Sequence, residues 1–78
     1  MNKTRRKELE NIISDMRDKL CELESLRDEE QECYDNLPEG IQESERGDAI
    51  SECADALDES CTDFENVIDQ LDEILSTY

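Results

Sequence analysis

Four cysteines, Cys21, Cys33, Cys53 and Cys61, and 24 carboxylates are the side chains through which this sequence could do chemistry. Cysteine and serine nucleophiles rely on a neighbouring base, and the 78 residues include no histidine, so Cys-His and Ser-His pairs are excluded. Gly40 and Gly47 are the two glycines, too few for a phosphate-cradling loop. The cysteines lie 12, 20 and 8 residues apart, without the close pairs that zinc sites use. The acidic run from Asp28 to Asp35 lacks the central glycine of a calcium loop, and carboxylate-bridged di-iron bundles need a Glu-x-x-His step. The expectation is a protein with no catalytic residues, no metal ligands and no cofactor, whose cysteines are reduced packing residues.

What remains is charge. The chain has 24 acids against 8 bases and a formal net charge of -16, which disfavours direct contact with nucleic acid phosphates and favours basic partners. The charge is segregated along the chain. Lys3, Arg5, Arg6 and Lys7 form a basic start without acids, residues 28–45 hold acids and no base, and no base follows Arg46. In the second half, Asp55, Asp58, Glu59, Glu65, Asp69, Asp72 and Glu73 recur at helical spacing and form a candidate acidic partner-binding face. The same face is what solvation of a helix requires.

Apolar spacing shows which elements carry these charges. Leu9, Ile13, Met16, Leu20 and Leu23 step by four and three, and the beat resumes at Tyr34 and Leu37 after Arg27 and Glu30 take two seam positions. That alternation belongs to a heptad helix, not to a strand with its two-residue period. Arg27 and Glu30 read as polar register devices inside the seam. A second run, Ile50, Cys53, Leu57, Ser60, Phe64, Val67, Leu71, Ile74 and Tyr78, keeps the beat, with Ala54, Cys61, Ile68 and Leu75 flanking it. Asn2 or Thr4 can cap the first helix, Pro38 ends it, and Ser44 caps the second. The segment from Asn36 to Gly40 supplies the turn. The sequence therefore predicts one all-α domain over 1–78: a helix over 4–36, a turn over 37–44 and a helix over 45–77, folded as an antiparallel, coiled-coil-like hairpin. Folding back would set Arg5, Arg6 and Lys7 beside Asp69, Asp72, Glu73 and the terminal carboxylate.

Each helix has about three apolar residues per heptad, a wider stripe than a two-stranded seam covers. Ile12, Leu26, Ile68 and Leu75 are the expected surplus. They would meet either a second copy, giving a homodimeric four-helix bundle, or a different protein. Leu9, Ile12, Ile13 and Met16 are interrupted by Glu8, Glu10, Asp15 and Arg17, so neither a secretory signal nor a membrane span is expected, and the setting is read as cytoplasmic.

The block from Asp35 to Ala49, Asp-Asn-Leu-Pro-Glu-Gly-Ile-Gln-Glu-Ser-Glu-Arg-Gly-Asp-Ala, lies between a basic start and an acidic amphipathic helix. It resembles a family of small acidic helical proteins from phages and mobile elements of Gram-positive gut bacteria. The resemblance spans nearly the whole chain and is most specific between Leu37 and Gly47. It implies a bacterial or phage-infected cytoplasm and assigns no activity.

Two functions follow as expectations. One is a structural or adaptor module acting through protein contacts. The other is a DNA mimic that occupies the DNA-binding surface of a host protein. Two chains of charge -16 over about 50 Å carry roughly one charge per 1.6 Å, against about one per 1.7 Å of duplex DNA.

Overall fold

A computed structural model describes all residues, 1–78, as three helices: α1 (Lys3–Asp35), α2 (Glu39–Gln42) and α3 (Glu45–Thr77). There are no strands, and the molecule is a rod of 59 × 16 × 13 Å in which α1 and α3 pack side by side. The Asn2 side chain accepts from the Arg5 amide at 2.8 Å and so starts α1. Ser44 starts α3, accepting from the Gly47 amide at 3.4 Å. The stretch expected as a plain turn contains the one-turn helix α2, whose Ile41 and Gln42 amides donate to the Pro38 carbonyl.

The reversal is stitched from both sides. Gln42 Nε2 donates to the Tyr34 carbonyl at 3.0 Å, satisfying an acceptor at the end of α1, and Ser44 Oγ donates to the Ile41 carbonyl at 2.5 Å. Gly47 is buried where the chain re-enters α3, and a Cβ there would overlap the backbone carbonyl oxygens of Ile41 and Gln42. Alanine has about 1 kcal/mol better helix propensity than glycine. Gly47→Ala is nevertheless expected to lower stability by about 1–3 kcal/mol, because backbone would have to move to admit the methyl group. A thermal melt at or above the parent midpoint would show that the close approach is dispensable.

The seam of α1 runs through Leu9, Ile13, Met16, Leu20, Leu23, Arg27, Glu30, Tyr34 and Leu37, all buried or half-buried. The seam of α3 departs from the expectation. Ile50, Leu57, Phe64 and Leu71 face α1, but the alternate positions are Gly47, Ala54, Cys61, Ile68 and Leu75, while Cys53, Ser60, Val67 and Ile74 are exposed. Both rows fit the same three-and-four beat, so periodicity alone cannot choose the helix's rotation about its own axis. The structure's choice turns the row beginning Gly47-Ala54-Cys61 toward α1, where its small side chains admit a close approach. The loop contact at Gly47 fixes the same rotation.

Labelling the seam a and d in seven-residue notation (Ile13 and Ile68 at a) puts Arg17 and Asp72 at e positions on one side of the hairpin. Arg17 pairs with Asp72 across the helices. Arg27, half-buried in the seam, reaches Asp58 at 3.3 Å on that side and also contacts Asp28 at 3.0 Å and Glu24 at 3.9 Å. The Asp28 hydrogen bond holds its guanidinium above its ordinary pKa, against the opposing effect of desolvation. No buried side-chain N or O atom is left without a partner, so the polar step in the seam is satisfied.

Candidate functional site

The two long sides of the hairpin differ in kind. On the e side, Arg27, Asp28, Gln31, Ala54, Asp55 and Asp58 line a shallow cleft of about 170 Å³. It is open and holds carboxylates without a nucleophile beside a base. Of the seven acids expected to form a partner face, Asp58 and Asp72 are held in the cross-helix ion pairs with Arg27 and Arg17, and so brace the hairpin. Asp55, Glu59, Glu65, Asp69 and Glu73 take part in no ion pair. They occupy b, e and f positions, and every acid of α3 after Arg46 except Asp63 lies on this outer band.

The opposite side carries the g positions. In an antiparallel pair the e rows flank each other along one edge and the g rows along the other. The cross-helix pair Arg17–Asp72 and the cleft at Arg27 and Asp58 mark the e edge. The g rows are Arg5, Ile12, Lys19, Leu26 and Cys33 on α1, and Arg46, Cys53, Ser60, Val67 and Ile74 on α3. They contain no acid. Ile12 is 52% exposed, Leu26 55%, Val67 44% and Ile74 37%.

The expected apolar face of Ile12, Leu26, Ile68 and Leu75 is therefore corrected in half. Ile12 and Leu26 do face outward. Ile68, 1% exposed, and Leu75, half-buried, belong to the hairpin's own seam, and Val67 and Ile74 take their places on the outer face. The misplaced signal was visible as the apolar heptad row at 67 and 74, which the α3 rotation turns away from α1.

The open end also differs from expectation. Arg6 donates to the Leu75 carbonyl at 2.5 Å, satisfying one of the free acceptors at the end of α3, and the Met1 amino group lies 3.5 Å from the Tyr78 carbonyl. Asp72 goes to Arg17, Lys7 pairs with Glu10 at 3.9 Å, and Asp69 and Glu73 take no basic partner. Arg17, at an e position, faces Asp72 across the e edge of the hairpin.

Of the cysteines, Cys61 is buried in the α3 seam, and Cys21, Cys33 and Cys53 are exposed and free. No three His, Cys, Asp or Glu side chains converge on a point that could hold a metal ion. No helix is long and apolar enough to cross a membrane. No family model, curated protein or solved structure matches the chain. The functional reading rests on the two sides of the rod.

Proposed function

We propose that this chain is a non-enzymatic helical interaction module. In this reading its apolar side makes the contact and closes a homodimeric four-helix bundle, while its acidic side keeps the rod solvated, in a bacterial cytoplasm with a phage or mobile element. The observation that carries the reading is the separation of the two surfaces. The g rows hold exposed Ile12, Leu26, Val67 and Ile74 and no acid, while the acids of α3 are confined to the outer band apart from Asp63. Solvation alone requires polar residues all round an isolated hairpin and does not require one side to be apolar. Burial of only 5 of 78 residues also leaves a single hairpin short of core.

Sedimentation of the unmodified chain at micromolar concentration tests the dimer. The expected mass is twice 9.1 kDa. Leu26→Ser with Ile74→Ser should weaken self-association by at least about tenfold, since burying such side chains contributes about 1.5–3 kcal/mol each and about 1.4 kcal/mol is a factor of ten. A fully helical monomer, or a dimer indifferent to both changes, rejects the reading.

The second reading is a DNA mimic, favoured by one feature of the acidic side: its carboxylates form a continuous outer band that a dimer built on the g rows would leave in solvent. A basic DNA-binding groove would release counterions on meeting such a band, as it does on meeting a duplex.

A further inference from the structure

We infer that two copies of this chain pack through their g rows with the hairpins pointing in opposite directions, so that the turn of each lies beside the open, basic end of the other. This rests on the homodimer reading and adds its geometry, of which two stacked arrangements exist. With the two-fold axis along the rod, both turns lie at one end and α1 faces the partner's α3. With the axis across the rod, the turns lie at opposite ends and α1 faces the partner's α1.

Surface area supports a second copy as the occupant. The chain exposes 5809 Å². A compact 9.1 kDa monomer exposes about 4,900 Å². The surplus, on the order of 900 Å², is close to the roughly 800 Å² that each partner of a standard interface buries. The acid-free g row runs along α1 from Arg5 to Cys33, and a second hairpin of equal length can lie against it.

Charge selects the orientation. Residues 28–45, the end of α1 with the turn and the start of α3, hold eight acids and no base, and residues 1–7 hold four bases and no acid. Turns at the same end would bring two such acidic segments together with only Arg46 of each copy in the g rows as a counter-charge. Opposed turns place each one beside the partner's basic start, whose Arg5 is itself in a g row. The axis then crosses α1 near its midpoint, Lys19. Ile12 falls opposite the partner's Leu26, and neither g row sets an acid between them. Lys19 lies among Asp15 and Glu22 of both copies and already contacts its own Glu22 at 3.0 Å.

The first measurement uses an Arg5→Lys chain, which puts a reactive amine in the g row at the open end. Zero-length carbodiimide coupling followed by mass spectrometry should join the new amine at position 5 to Glu29, the c-position carboxylate that flanks the partner's g row. Within one chain these groups lie at opposite ends of α1, about 40 Å apart, so such links must be between chains. The second measurement uses Gly40→Cys in a chain whose native cysteines are replaced, with a spin label at the turn, where Gly40 has nothing within 4 Å. Retained helicity and dimer mass are its controls, and the coupling at position 5 decides if they fail. The expected label separation is about 50 Å, the length of a long helix. A dimer with labels within about 25 Å and no end-to-turn coupling overturns the opposed arrangement while leaving the dimer standing. A monomer by sedimentation overturns both.

Discussion

Ile68→Asp should abolish the folded state, while Val67→Asp, one residue earlier, should leave a helical hairpin that no longer self-associates. Ile68 is 1% exposed, so its replacement removes a buried side chain and leaves a carboxylate without a partner in the seam. An uncompensated buried charge costs about 3–5 kcal/mol. A 78-residue domain has a total stability of only about 4–12 kcal/mol, and a core this thin belongs near the lower end. Circular dichroism of Ile68→Asp at 25 °C should accordingly show mostly unfolded chain. Val67 is 44% exposed on the hairpin and points to the side assigned to the partner. An aspartate there stays hydrated in the single hairpin but sets two further acids into an interface that otherwise has none in its g rows. Helicity should survive with a monomer mass and a lowered midpoint. If Val67→Asp unfolds the chain and Ile68→Asp does not, α3 is rotated the other way and the seam is Cys53, Ser60, Val67 and Ile74.

In the DNA-mimic reading, neutralising the unpaired acids of the outer band should abolish capture of a basic partner without weakening the fold. The set is Asp55→Asn, Glu59→Gln, Glu65→Gln, Asp69→Asn and Glu73→Gln; Asp58 and Asp72 are left alone because their ion pairs with Arg27 and Arg17 brace the helices. Asp55 and Glu59, Glu65 and Asp69, and Asp69 and Glu73 are like charges four residues apart on one helix. Each such pair costs about 0.2–0.5 kcal/mol, so the substituted protein should melt at or slightly above the parent. Loss of binding then cannot be attributed to unfolding.

The two functional readings diverge in their salt response. A DNA mimic should retain proteins from a bacterial lysate that elute at moderate salt and compete with duplex DNA for one site. Its affinity should fall by about three decades or more between 50 and 200 mM salt if six or more charges are matched. An adaptor that binds through apolar contact should show a shallow salt dependence, survive the five neutralisations and fail on changes at Leu26 and Val67. A partner lost only together with self-association reports the dimer. One that survives both sets of changes rejects both readings.

The sequence by itself determined the all-helical class, the paired long helices and the place of the reversal. These depend on information local to the chain. Alternating steps of three and four exclude a strand, Asn2 and Ser44 supply oxygens to free amides at two helix starts, and Pro38 cannot continue α1. The seam of α1 was legible for the same reason, since its apolar beat is unbroken from Leu9 to Leu23 while Arg5 and Lys19 interrupt the neighbouring row of Ile12 and Leu26. On α3 two adjacent rows are apolar, Cys53-Ser60-Val67-Ile74 and Ala54-Cys61-Ile68-Leu75, and a three-and-four beat runs through either. Only the tertiary structure decided between them, because the rotation of α3 depends on groups distant in sequence: the Ile41 and Gln42 carbonyls over Gly47, and Arg17 and Arg27 reaching Asp72 and Asp58. That rotation also placed Ile68 and Leu75 inside the hairpin and Val67 and Ile74 outside it. A side chain's periodicity is written into its own helix, but the direction it faces depends on where the other helix lies.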